Sequence, residues 1–506
     1  ALKEVAFRWA EAYQRADGSP SWALKINVFG IQVNDWEATN MQATEGSESV
    51  ITNPGGYDAV NRYGDEIAYN DGGDAKTYAG IGTYHRRGIE ESALVDYGTE
   101  NLKVATAAHY KFKEGVEAIY SMNFGSGTTV YQGDNRFSLK DIMFLQNRFE
   151  IRKGDKWFVR AYATHEDAGK TYDAYFTALR MQDSVLDEGF WANQYRSFWN
   201  IFQKSKVKGL AGYPSETIPN VEFSEQMAQM WAMYPEAFAE FHTSNRNWME
   251  GAYNPDSSLI PGTRAFEVLK QKIISTPFDE GGSRFFDRSS LQHLQGQRTI
   301  ELGQLGELYV GGSFRRYNPN SRGTIFSDTN GVKLQVQELG FFTGFKKETE
   351  RFIGNFSLRM DKNQNFNWLV SPALSFVYKP NSHAVLRAGL TSAIRNPTLQ
   401  DQYLYYNVGR ALLLGNLHGY DSLVTIDNVR DFLAASPQAR ASWEWDYYAL
   451  QGVKPEKVQS VELGYRDTWW NRVYVDATYY YSWYQDFIGY HVALKIDDNP
   501  GGSAAD

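Results

Sequence analysis

Eight histidines, at positions 85, 109, 165, 242, 293, 383, 418 and 491, are the side chains best suited to hold a metal or move a proton, and they are scattered. None forms an HExxH pair, and the chain has no cysteine to complete a zinc set. The run Gly125-Ser126-Gly127-Thr128-Thr129 lacks the lysine and following helix of a phosphate-cradling loop and reads as the start of a surface loop. No GxSxG elbow marks a nucleophile. Adjacent carboxylates at Glu90-Glu91 and Asp279-Glu280 read as solvated surface pairs rather than a general acid and base. Asn70-Asp71-Gly72-Gly73-Asp74 offers hard oxygen ligands of the kind calcium takes, but without EF-hand spacing or its closing glutamate it reads as a turn. No catalytic constellation, cofactor site or metal site emerges. The residues point away from an enzyme and towards recognition or conduction.

Composition narrows the class. Aromatic residues make up 15% of 506 positions, with 33 Tyr, 30 Phe and 14 Trp. Tyr and Trp suit a membrane boundary, where the ring is buried and the polar tip stays wet. The mean hydropathy of −0.51, with no run of about 20 apolar residues, excludes a helical membrane protein. It does not exclude a barrel, in which only alternate residues face lipid. A net charge of −9 with no basic stripe argues against nucleic acid as a partner. The absence of cysteine agrees with an exported location.

The elements that would position any site are strands, about fourteen of them by their alternation of period two. Trp22, Leu24, Ile26 and Val28 share one face, with Lys25 and Asn27 on the other. Phe356, Leu358 and Met360 alternate with Asn355, Ser357, Arg359 and Asp361. From Arg472 to Tyr484, Val473, Val475, Ala477, Tyr479, Tyr481 and Trp483 alternate with Asp476, Thr478 and Ser482. A wide barrel places the first set in lipid and the second in a wet lumen.

Link lengths choose between barrel and sandwich. Tight turns fall at Asp17-Gly18-Ser19-Pro20, Lys113-Glu114-Gly115, Lys153-Gly154-Asp155, Gly303-Gln304-Leu305, Lys347-Glu348-Thr349, Pro380-Asn381-Ser382 and Asp467-Thr468-Trp469-Trp470. Between them lie longer links over 34–100, 128–136, 168–290, 317–331 and 396–456, with one short exception at 362–365. Up-and-down transmembrane barrels keep this rule, with short periplasmic turns and long extracellular loops. The expected fold is therefore all-β, a transmembrane antiparallel up-and-down barrel. Residues 168–290 form a helical loop insertion, because Trp191, Tyr195, Phe198, Trp199 and Phe202, and the apolar residues from Met227 to Phe241, recur at spacings of three and four. The stripe is expected to pack the loop against itself. Trp231 and Trp248 are the candidates for touching a ligand or partner.

Several segments resemble the TonB-dependent outer-membrane receptors of Bacteroidota, in the long form that usually begins with a carboxypeptidase-regulatory-like domain. They include Asp35-Trp36-Glu37-Ala38-Thr39, Pro54-Gly55-Gly56-Tyr57-Asp58-Ala59-Val60-Asn61, Thr128-Thr129-Val130-Tyr131, Gly323-Thr324-Ile325-Phe326-Ser327-Asp328, Arg395-Asn396-Pro397-Thr398-Leu399-Gln400-Asp401-Gln402-Tyr403 and Pro455-Glu456-Lys457-Val458. The resemblance implies energised import across the outer membrane of a Gram-negative bacterium, with the long loops extracellular. It also implies a complete barrel of about 22 strands closed around a plug. On that expectation 1–506 is one barrel domain incomplete at both ends, without the plug. The implied partners are the TonB energy-transducing complex acting through the plug, outer-membrane lipids and lipopolysaccharide, and a surface lipoprotein on the 168–290 insertion if the barrel is a scaffold. The aromatic and charged loop after Arg395 supplies the candidate substrate contacts Tyr403, Tyr405, Tyr406, Arg410, Trp443 and Trp445.

Overall fold

A chain whose polarity alternates residue by residue forms two-faced strands, and antiparallel pairing aligns those faces across a sheet. The computed structural model describes the backbone of β1 (Leu2–Phe7) and β2 (Ser21–Val33) and then residues 62–495, except 66, 68, 72, 133–134, 330, 409–410 and 471. The turn expected at 17–20 and the segments at 35–39 and 54–61 lie outside the described residues. The sheet continues through β3 (Thr99–Lys111), β4 (Val116–Gln132), β5 (Arg136–Lys153) and β6 (Trp157–Asp167). It resumes with β7 (Ser290–Glu301), β8 (Glu307–Asn318), β9 (Val336–Glu348), β10 (Phe352–Asn363), β11 (Leu369–Tyr378) and β12 (Val385–Arg395). β13 (Glu456–Trp469) and β14 (Val473–Gln485) complete it. Each strand pairs with the next in chain order, and a short strand at Tyr172–Asp173 adds to β5, making 15 in all. β1 and β14 are the edges of this order, and no pairing joins them among the described residues.

The two faces differ as the alternation requires. Phe356, Leu374, Leu390 and Val461 stand side by side across β10 to β13. The first three are about half exposed. The opposite face carries ion pairs: Arg359 pairs with Asp361 at 2.7 Å and Arg387 with Asp476 at 2.9 Å. Glu150 on that face is buried between Arg148 and Arg160, with Arg160 Nε at 2.7 Å. An exposed apolar face backed by a polar, ion-paired one is the wall of a membrane barrel with a wet interior. No helix among the described residues is long and apolar enough to cross a membrane, which bears only on helices.

Short turns crowd one rim. Glu114 and Gly115 turn at φ 67° and 74° between β3 and β4, and Gly154 at 50° between β5 and β6, so glycine at 115 and 154 meets the left-handed backbone at no steric cost. The other rim carries the long links, with two departures from expectation. The link expected at 128–136 shrinks to a hairpin, because β4 and β5 pair as far as Gln132 and Arg136. Gly125 to Thr129, expected to open a loop, instead lie inside β4, where a register shift between Gly127 and Thr129 makes a bulge. Small residues there weaken the periodic signal without breaking the ladder.

Between β6 and β7 the chain builds α1 (Ala174–Val185), α2 (Glu188–Phe198), α3 (Asn220–Met233), α4 (Pro235–Tyr253) and α5 (Arg264–Ser275). The single periodic stretches of the sequence are split by local chemistry. Asp187 caps α2 by accepting from the Phe190 N–H, and Pro235, which has no N–H to donate, starts α4 on a new axis.

Candidate functional site

These helices do not pack against themselves alone. Their core takes in Ala75, Ala79, Ile81 and Tyr84 from the link between β2 and β3, beside Trp191, Tyr195, Trp199, Phe223, Met230 and Phe238. Tyr84 stacks on Tyr195 with ring centroids 4.6 Å apart, and Trp199 and Trp231 donate their indole N–H to the carbonyls of Ala79 and Gly80 at 3.0 and 3.1 Å. Gly80, at φ 76°, lies so close to Phe238 and Val207 that any Cβ would collide. Trp231, a candidate ligand contact in the sequence, is thus a packing residue. Trp248 is 52% exposed and stacks on Phe202 at 4.6 Å.

A second cluster ties this cap to the barrel rim. Tyr63, Ile89 and Leu94 pack with Tyr175, Phe176, Met181 and Phe266. At its centre Glu91, only 2% exposed, accepts from Tyr63 Oη at 2.6 Å, Tyr97 Oη at 2.7 Å and Arg136 Nη2 at 3.0 Å. Arg136 begins β5, so the carboxylate joins link to wall. The surface reading of Glu91 is corrected: beside exposed Glu90, it is a buried anchor whose partners Tyr63 and Arg136 lie too far along the chain for a pair motif to reveal.

Between the two clusters lies a cavity of about 340 Å³. Arg62, Arg86, Arg87 and Arg246 line it with Glu90 and Glu250, beside the apolar surfaces of Trp191, Met249, Tyr253 and Ile260. Two of the arginines have carboxylates close by: Arg62 with Glu90 at 3.4 Å and Arg87 with Glu250 at 3.2 Å. The other two are placed differently. Arg86, 5% exposed, donates to the Leu186 carbonyl and lies over the Trp191 ring, 5.5 Å from its centroid, while Asp183 stays 3.9 Å away. Its Nε is buried without a partner, and burial pushes its pKa down. Arg246 reaches only His85, through the backbone carbonyl at 3.4 Å and Nε2 at 3.2 Å. A guanidinium only donates, so Nε2 accepts and the ring proton sits on Nδ1, which donates to the Arg86 carbonyl at 2.6 Å. Burial, then the charge of Arg246, hold His85 down at about 4, so it is neutral at pH 7.

The candidate contact residues fall elsewhere. Tyr403 ends a short helix, Leu399–Tyr403, and its hydroxyl meets Asn365 Nδ2 at 2.6 Å. Tyr405 is exposed, whereas Tyr406 is buried and donates to Asp173. Trp443 and Trp445 flank Phe432, at 5.7 and 4.9 Å. Arg410 lies outside the described residues. The three tyrosines are neighbours, the tryptophan pair makes a separate cluster, and none of the five lines the cavity. The run His85-Arg86-Arg87 was its one local signal, but its partner Arg246 sits 161 residues from His85. Among the described residues no group of His, Asp and Glu is arranged to hold a metal.

A membrane β-barrel wall with folded loops over one rim is the architecture of an outer-membrane transport barrel. The family described as TonB dependent receptor-like, beta-barrel, matches residues 35–501, and the chain belongs to that family. Its members are transporters rather than enzymes, with barrels in the outer membrane. No curated protein matches the chain. Among solved structures it is similar to the siderophore receptor PirA from Acinetobacter baumannii, at 13% identity over 97% of this chain and 52% of that one, with a TM-score of 0.43. It is also similar to a mutant ferric enterobactin receptor, PfeA, from Pseudomonas aeruginosa, at 10% identity over 94% and 52% with a TM-score of 0.43. The copper transporter OprC stands at 11% identity over 92% and 49%, with a TM-score of 0.41. The chain spans about half the length of these structures.

Proposed function

We propose that this chain is the barrel portion of a TonB-dependent importer, with its long-loop rim outside the cell and its short turns in the periplasm. The observation that carries this reading is family membership over 35–501. The ion-paired inner face supports it, since a polar lumen conducts what lipid excludes. On this reading the TonB complex acts through a plug, the loops select the cargo, and exposed Tyr405 with the Trp443 and Trp445 pair meets it at the outer surface. The Bacteroidota likeness belongs to the same reading. The test is depletion of compounds from the medium by cells expressing the full-length gene product, read by mass spectrometry. Import requires a compound that disappears only when receptor and TonB are both present; depletion indifferent to TonB would favour a passive pore.

One observation favours a second reading, a scaffold that docks a surface lipoprotein through the 168–290 insertion. Phe190, Ile201 and Trp248 are exposed on its helices, with Trp248 stacked on half-buried Phe202. Copurification of the full-length protein with a lipoprotein that shields Trp248 from oxidation supports docking, and an unshielded Trp248 in the native membrane counts against it.

A further inference from the structure

The cavity between the cap and its rim anchor has the size, chemistry and unbalanced charge of a ligand site. Its 340 Å³ falls within the range of small-molecule pockets, about 300–1,000 Å³. Four guanidinium groups face two carboxylates in its lining. Arg246 carries the imbalance, and Arg86 adds a buried donor without an acceptor. Arg86 meets Asp183 at 3.9 Å, with Glu188 and Asp187 also near enough to favour its charge, and has a buried, unpartnered Nε; Arg246 touches a neutral imidazole and has no ion-pair partner among the described residues. A buried donor left without an acceptor is costly, and a planar guanidinium fork fits the two oxygens of a carboxylate or phosphate. Trp191, Met249, Tyr253 and Ile260, also in the lining, suit an apolar body.

We propose that this cavity binds a small amphiphilic oxyanion, a carboxylate or phosphate monoester on an apolar body, with the anionic head held by Arg86 and Arg246. Because one wall comes from the link before β3 and the other from α1, α2 and α4, the ligand bridges two loops and fastens them together. That this ligand is also the cargo rests on the import reading; the binding itself does not.

Titration calorimetry on the full-length protein in detergent tests the site, with indole-3-acetate and phenyl phosphate as anionic probes and indole-3-acetamide as the neutral isostere. At least one anion is expected to bind about tenfold or more tightly than the amide, the difference expected of one charge-assisted contact. Arg246→Gln should abolish that preference. Ile260→Trp, which fills the cavity from its exposed side, should weaken every probe and covers the case in which Arg246→Gln does not fold. Equal binding of amide and anions, no binding by any probe, a preference that survives Arg246→Gln, or affinities untouched by Ile260→Trp would each overturn the site. Binding is measured without TonB or a membrane, so retained binding with absent uptake removes the import reading alone. Uptake without binding here removes this site alone.

Discussion

The hydroxyl of Tyr406 donates to Asp173 Oδ2 at 3.4 Å across 233 residues of chain. Asp173 is fully buried, caps α1 through the Phe176 N–H at 2.9 Å and accepts from Asn135 Nδ2 at 2.7 Å. One carboxylate thus gathers the link after β12, the start of α1 and the hairpin between β4 and β5. A tyrosine that the sequence offers as a substrate contact is employed in holding loops together.

Tyr406→Phe should therefore loosen the rim by about 1 kcal/mol, the value of one hydrogen bond. Asp173→Ala should cost more, about 2–3 kcal/mol, since it removes a helix cap and strands the buried Asn135 amide. Rates of limited proteolysis in 168–290 would show the order; equal rates for the two variants would contradict it.

Glu91→Gln leaves Arg136 without its carboxylate in a site where both are largely buried. Removing one partner of such a pair costs about 3 kcal/mol or more. The expected outcome is early release of 62–98 from the rim, seen as new tryptic cleavage there, while the barrel keeps its resistance to unfolding on a cold gel.

Acid should weaken the cap through His85. Its folded pKa of about 4 lies below the unfolded value, about 6.5. Stability from this group is therefore fully present above about 6.5 and lost as pH falls through about 4, roughly 3 kcal/mol in all. Asp173, which burial pushes up to about 6, acts in the opposite sense, favouring the fold below its unfolded pKa and losing that contribution as pH rises through about 6. The measurement is accordingly the difference in cap stability between wild type and His85→Gln from pH 7 to 4.5. A difference that does not change with pH would refute the assignment.

Adjacent residues of β11 separate the two faces. Leu374, 48% exposed beside Phe356 and Leu390, faces lipid, whereas Ser375 accepts from Asn355 at 3.2 Å on the polar face. Leu374→Arg should cost about 2–4 kcal/mol near the bilayer midplane and reduce assembled barrel in the outer membrane. Ser375→Arg should assemble near wild-type levels. Reversal of that order would place the lumen on the wrong side.

Much of the barrel was legible because its signals are local. A strand's two faces follow from every second residue, and a tight turn from two or three residues such as Glu114 and Gly115. Where local signals were weak, as at the glycines of β4, the sequence suggested a loop and the ladder ran on, because strand pairing is decided by neighbours as well as by propensity.

The helices of 168–290 were visible in spacing, but not what they enclose. By itself the sequence determined that the strands have one apolar and one polar face, where most of them turn, and which rim carries the long links. Only the tertiary structure decided that Glu91 is buried, that Trp231 packs inward while Trp248 faces out, and that Arg86 and Arg246 share a cavity. The physical reason is range: periodicity is written within a few residues, whereas the pairing of a charge depends on partners such as Arg136, 45 residues from Glu91, or His85, 161 residues from Arg246.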